Sequence, residues 1–463
     1  MNKIIYILLM LIGIKNYAQT KAQEILTYQE FIFNVISEHP LAKSAELKEK
    51  VAKAKLLAAK GGLDPYLTSS INQKNFENKE YYNIFENKIT IPTSLGIAIT
   101  GSFNNNSGEY LNPEAYTNNN GIWSAGIELD LLQGLITNTR KIALDQAKVY
   151  QRIAKNKQLQ LVNKLVYDAS KAYAEWQQFN SICNILQSNV ELSERYLTNI
   201  KNALTNGEKT AIDTLEANVY LQNNRINLLK YEQKLVEKRL KVENYLWYEN
   251  IPVAMQSHVQ PETNINYYKF EEITVDENLD DIPMIAEKRA KMESLRLKQK
   301  LNREKLKPKL KLKYNPIIKT TDNTFGLSNY LSENQVWGAK LTFPIFFRSE
   351  RGKYRESKYA VEEINYDIAV KKKEIENKMI ANEQNQEALT QQIKLLQMNI
   401  DGYEKLLVAE TKKFEYGESS LFLINKRQEN LIASELKLLS SQNMLIINYL
   451  NYLLMTNTIV PTE

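Results

Sequence analysis

Two stretches decide the fold: Trp123–Gly134, WSAGIELDLLQG, and Trp337–Arg348, WGAKLTFPIFFR. In the first, Trp123, Ala125, Ile127, Leu129 and Leu131 fall on one side, and Ser124, Gly126, Glu128 and Asp130 on the other. In the second, Trp337, Ala339, Leu341, Phe343 and Ile345 oppose Gly338, Lys340 and Thr342. Leu310, Leu312 and Tyr314 oppose Lys309, Lys311 and Lys313 in the same way. A period of two with one apolar side marks a strand with two unlike faces. Two architectures fit: a half-buried soluble sheet, or a membrane barrel with an apolar exterior and a polar lumen. In the second, Glu128, Asp130, Lys309, Lys311, Lys313 and Lys340 line the lumen.

The stretches outside these strands are helical. Thr137–Thr205 contains neither proline nor glycine. At about 1.5 Å per residue it makes roughly 104 Å of helix. Ser349–Glu415 predicts roughly 100 Å by the same rise. Shorter helices are predicted over Pro40–Lys60 and Ala211–Tyr248, and again over Pro283–Arg303 and Glu418–Leu454. In the 211–248 stretch, Ile212, Val219, Ile226 and Leu240 fall seven or fourteen residues apart, with Leu215, Leu229 and Val236 interleaved. That a/d spacing predicts coiled-coil packing. Thr27–Glu30, TYQE, reads as a capping box, and Pro40 and Pro283 suit the first position of a helix.

The landmarks occur twice in one order. Pro40 and Pro283 lie 243 residues apart, as do Pro65 and Pro308. Each pair is followed by a tryptophan strand, a long helix, a glycine turn (Gly207, Gly417) and a last helix. The reading is therefore two repeats, residues 19–248 and 283–463, joined by a polar connector over 249–282. The first repeat has the longer strand region. Its surplus includes the alternating run Ile97–Phe103, and the pattern leaves open whether the extra strand material, Tyr82–Phe103, joins the barrel or caps it.

Composition narrows the function. The chain has 463 residues, 60 basic and 54 acidic, with 15 glycines and 11 prolines. Near-balanced charge leaves no basic excess for nucleic acid. Two histidines and the single Cys183 make neither a metal cluster nor a disulfide, so no metal and no cofactor is expected. No P-loop, nucleophile elbow or zincin motif is present, and no catalytic residue is assigned. Residues 1–18, MNKIIYILLMLIGIKNYA, read as a secretory signal peptide.

Taken together, the export signal, the doubled proline landmarks, the tryptophan strands ending in LLQG or FPIFF, and the glycine turn before a heptad helix resemble the TolC family of outer-membrane efflux proteins. The resemblance covers the mature chain. It implies a homotrimer in which each chain gives four strands to a shared twelve-stranded barrel in outer-membrane lipid. It also implies a periplasmic helical tunnel whose far end docks a periplasmic adaptor protein and an inner-membrane pump. The fold class is thus mixed α and β: helical hairpins forming an α-barrel, plus transmembrane strands. The implied location is the outer membrane of a Gram-negative bacterium.

By the same resemblance, Gly207 and Glu208, with Gly417 and Glu418, form the tips that meet the adaptor. Asp213 falls where the family places an acidic residue near the tunnel entrance. The family's best-known member has an arginine two residues after the second-tip glycine and aspartates six and nine after it. Those positions here are Ser419, Leu423 and Lys426. Leu421, Phe422 and Leu423 suggest an apolar constriction there instead, and Asp213 is a further candidate for the entrance. Asp213 equally suits a helix start. Two other functions stand beside the channel: a periplasmic adaptor, and a structural coiled-coil protein of the periplasm. An adaptor carries one helical hairpin rather than two, and a coiled-coil rod leaves the tryptophan strands without a role.

Overall fold

The structure, a computed structural model, describes residues 24–117, 120–263, 279–318 and 334–460. The export signal lies outside these residues. Seven helices are described: α1 (Tyr28–Glu38), α2 (Pro40–Gly61), α3 (Thr139–Thr205), α4 (Ala211–Glu243), α5 (Pro283–Glu304), α6 (Arg348–Glu415) and α7 (Leu421–Thr456). Ten strands are described: β1 (Ile25–Leu26), β2 (Tyr66–Phe76), β3 (Lys79–Pro92), β4 (Ile97–Ser107), β5 (Ile122–Leu131), β6 (Trp247–Tyr248), β7 (Ile251–Pro252), β8 (Gln260–Pro261), β9 (Lys309–Ile318) and β10 (Gln335–Thr342). Among the described residues no helix is long and apolar enough to cross a membrane.

The helix starts follow the local chemistry. Thr27 and Glu30 close the capping box: the Thr27 hydroxyl accepts from the Glu30 amide, and the Glu30 carboxylate from the Thr27 amide. Pro40 and Pro283 open α2 and α5, each 22 residues long. The long helices match at 67 residues for α3 and 68 for α6.

Several ends differ from the sequence reading, and α7 begins at Leu421 rather than Glu418. α4 stops at Glu243 rather than running to Tyr248. Asn34 takes over there, donating to the Trp247 carbonyl and accepting from its amide, which turns the chain into the β6–β7 pair. β10 stops at Thr342, so Phe343 and Ile345 lie beyond it. Pro344 has no amide to continue a ladder. Within the 249–282 connector, β8 pairs in parallel with β1.

The chain divides into two compact units. One comprises residues up to Ala42, Leu165–Ile273 and Asn382–Leu454, and its described elements are helices and two-residue strands. Its core has two clusters. In one, Phe31 and Val35 of α1 meet Tyr173 and Trp176 of α3 and Val242 of α4. In the other, Leu186 and Leu197 of α3 pack with Leu221 and Leu228 of α4 and Ile432 of α7. Cys183 of α3 is buried, and burial pushes its thiol up to about 11, as befits a packing residue. His39 is buried at the α1–α2 junction, where its Nδ1 accepts from the Leu41 amide.

The second unit comprises Lys43–Lys164, Thr274–Ala381 and the residues after Leu454, and holds one six-stranded sheet. Its order is β10-β9-β5-β4-β3-β2, and every neighbouring pair is antiparallel. Six strands replace the four that the family resemblance implied. The surplus pair is β3–β4, which holds the Ile97–Phe103 run and sits within the sheet between β2 and β5. A two-residue turn joins β2 to β3, with Glu77 and Asn78 both at positive φ (51° and 58°). That is the backbone a right-twisted hairpin favours.

Candidate functional site: a two-faced sheet and two helical tips

Register assigns every sheet residue to a face, because a pleated strand alternates and paired residues share a side. Leu341 pairs with Leu310, which pairs with Leu131. Trp337 pairs with Tyr314, then Ile127, then Ile99 and Ile91. Ile89 pairs with Leu67, and Phe85 with Ile71. One apolar face therefore crosses all six strands. It is open to solvent: Leu67 is 70% exposed, Ile71 68%, Trp337 72% and Leu341 65%. From Trp123 to Leu131 it runs about 27 Å along the strand, at about 3.4 Å per residue.

The opposite face is polar and, in the middle strands, covered. Thr90, Thr100 and Glu128 are 6%, 4% and 8% exposed. Lys340 pairs with Lys311 and Thr342 with Lys309. Lys311 pairs in turn with Asp130, and Lys313 with Glu128. Glu128, Asp130, Lys309, Lys311, Lys313 and Lys340 thus lie on this one face. Glu128 is the hub: it meets Lys88 at 2.6 Å, Lys311 at 2.5 Å and Lys313 at 3.6 Å. Lys88 was missed by the sequence reading. It lies on the surplus hairpin, and only the register of β3 against β4 and β4 against β5 brings it to Glu128. The alternation of Thr68, Ser70 and Asn72 against Leu67, Ser69 and Ile71 is too polar to reveal a face in advance.

The two tips share one geometry. Gly207 and Gly417 sit at φ of +79° and +78°. The Gly207 amide donates to the Leu204 carbonyl and the Glu208 amide to Ala203. The Gly417 amide donates to Phe414 and the Glu418 amide to Lys413. This pairing is the Schellman motif, for which left-handed glycine is favoured. Space is open around both glycines.

The helices leaving the tips differ. Thr210 caps α4 through a second capping box, in which the Asp213 carboxylate accepts from the Thr210 amide and hydroxyl, both at 2.8 Å. Those bonds hold the Asp213 carboxyl below its usual range. At the second tip, Leu421 is 5% exposed within the helical core, whereas Phe422 and Leu423 are exposed. Ser419 donates to Glu410 at 2.6 Å, and Arg427 approaches the same carboxylate at 3.4 Å. The Ser419 bond, with help from Arg427, holds Glu410 low.

α4 carries a further feature. Ala217, Leu221, Leu228 and Val242 face the core. The heptad residues Ile212, Leu215, Val219, Ile226, Leu229, Val236 and Leu240 are all exposed. The helix thus has two apolar stripes, and the one with coiled-coil spacing is uncovered in a single chain.

Solved structures place this architecture. The chain superposes on the outer-membrane channel CmeC of Campylobacter jejuni with a TM-score of 0.64 and 11% identity, over 93% of this chain and 85% of that one. The fold is that of TolC-family outer-membrane channels. The outer-membrane protein VceC of Vibrio cholerae matches with a TM-score of 0.63 and 12% identity, over 93% of this chain and 95% of that one. CusC, described with transmembrane channel formation, matches at 0.65 and 12%, over 96% and 95%. No protein-family model and no curated protein matches the sequence.

Proposed function

We propose that the chain is the outer-membrane channel subunit of a tripartite efflux or type I secretion system, a passive conduit for small molecules or proteins. The observation that carries this reading is the sheet: an exposed apolar face across six strands, backed by a covered polar face. A soluble sheet buries its apolar face against a core, whereas a barrel wall in lipid does the reverse. The fold shared with CmeC, named as an outer membrane channel, supports the same reading.

The working unit is a homotrimer in the outer membrane, each chain built as two repeats with its helices in the periplasm. The uncovered α4 seam supports a second copy as its partner, because coiled-coil spacing needs a facing helix. Gly207, Glu208, Gly417 and Glu418 meet a periplasmic adaptor, and an inner-membrane pump supplies the energy. Phe422 and Leu423, with Asp213, narrow the entrance, and Leu421 anchors that turn from beneath. The chain itself performs no covalent chemistry.

Purified chain added to a planar lipid bilayer tests the conduit. Stepwise ohmic conductance is expected, and a silent bilayer at every protein concentration contradicts it. Glu128 then sets the charge of the lumen. Glu128→Gln removes one negative charge per chain beside three lysines, so the reversal potential in a salt gradient shifts toward anions. An unchanged reversal potential would place Glu128 away from the ion path.

The tips are tested separately. Gly207→Val and Gly417→Val force β-branched residues into left-handed backbone, at about 1–2 kcal/mol each. Export should fall, read as sensitivity of the host to the compounds it expels, while folded trimer in the outer membrane stays near wild type. Undiminished export in the double variant would remove the tips from the docking surface.

A further inference from the structure

Among the described residues the sheet has two free edges, β2 and β10. Lipid offers no partner for the amides and carbonyls along them, so a spanning sheet must close. A six-stranded sheet is too small to close around a lumen by itself, since about eight strands already leave room only for side chains. Direction favours joining copies end to end. Each neighbouring pair is antiparallel, so across six strands β2 runs opposite to β10. The β2 edge of one copy thus meets the β10 edge of the next in the antiparallel sense used everywhere else. The apolar face reaches both edges, through Leu67 and Ile71 on β2 and Trp337 and Leu341 on β10, so it continues unbroken across the joint.

The surplus hairpin is an integral part of this wall. On the polar face Lys88 reaches Glu128 at 2.6 Å, and the Ser102 and Ser124 hydroxyls meet at 2.7 Å. On the apolar face Phe103 lies against Trp123 with ring centroids 4.8 Å apart. At the β3–β4 turn the Gly96 amide donates to the Leu135 carbonyl at 2.8 Å, and the Asp130 amide donates to the Gly96 carbonyl at 2.7 Å. The turn is therefore bolted to the segment that leads from β5 into α3. A hairpin adds two strands, which leaves the edge directions unchanged.

From this geometry we infer that three copies close into an eighteen-stranded barrel, six strands more than the family resemblance implies. The inference rests on the trimeric channel reading. With strands about 4.8 Å apart and tilted near 40°, the wall radius is about 18 Å, against about 12 Å for twelve strands. The membrane section then has roughly twice the cross-section, and it imposes little sieving. Selection by size falls to the helical entrance.

Electron cryo-microscopy of the full-length chain in lipid nanodiscs counts the strands directly. Eighteen strands around a threefold axis is the expected result. Threefold particles with twelve strands, and β3–β4 outside the wall, would overturn the inference and leave the channel reading standing. Particles without threefold symmetry would overturn the trimer itself. A cysteine pair gives an independent reading in a Cys183→Ser background. Leu67→Cys with Ile127→Cys lie three strand spacings apart and two residues out of register in the proposed wall, about 16 Å, too far for a disulfide. No intrachain cross-link should form on oxidation. An efficient one would mean that β2 lies beside β5 and the hairpin is excluded.

Discussion

Replacing Ile226 and Leu229 together by aspartate is expected to release single chains from the assembly. Both side chains are exposed in one chain, at 63% and 59%, on the stripe of α4 that faces away from the core. Little inside the chain depends on them, so its own fold should survive. In the trimer each would be a charge buried without a partner. The penalty is about 3 kcal/mol or more per interface, roughly a hundredfold or greater loss in association. Size-exclusion chromatography with light scattering reads the result. Leu228→Asp is the informative contrast, because Leu228 packs in the core of the same helix and its loss should unfold the chain. A stable trimer carrying both aspartates would mean that the heptad stripe faces water.

The second large effect is expected at Gly96. A Cβ built there would lie 2.5 Å from the Gly134 carbonyl oxygen and 2.7 Å from the Leu135 Cα. Those are backbone atoms and cannot step aside as a flexible side chain would. Gly96→Val must open the β3–β4 turn and break its bonds to Leu135 and Asp130, at about 3 kcal/mol. The yield of folded trimer should fall sharply, and its thermal midpoint with it. Gly338→Ala on β10 is the control, because nothing lies within 4 Å of a Cβ there. Equal behaviour of the two variants would show that the surplus hairpin carries no share of the wall's stability.

Much of this architecture was legible in the residues, for identifiable reasons. Trp123–Leu131 and the Lys309–Tyr314 run alternate strictly because one side meets an apolar surface and the other a polar one. The first long helix was readable because proline and glycine are absent from Thr137–Thr205. The glycine tips were readable because a Schellman turn favours φ above zero. The strand count was not legible. β2 and the outer half of β3 mix Ser, Asn, Gln, Lys and Glu on both sides, and polar strands of that kind take their place from pairing. Lys88 was hidden because it lies on the hairpin whose place in the sheet the pattern left open, and only pairing brings it to Glu128.

The role of Asp213 shows another limit. Its spacing from the glycine suited an entrance, and its position at the helix start suited a cap. The capping box with Thr210 gives it local work in a single chain, which spacing alone could not weigh. Leu421, Phe422 and Leu423 looked alike as a run of apolar residues. Helical phase separates them, with Leu421 turned into the core and Phe422 outward.

The central claim is that three chains close one wall in the outer membrane. Its most direct test is the protein mass of the particle extracted from outer membranes in mild detergent, corrected for bound detergent. Three chains of 53.7 kDa each, less any export signal removed, are predicted, recovered only from the outer-membrane fraction. A monomer that stays in solution without detergent would contradict the account, because its apolar sheet face would then be covered by something other than lipid.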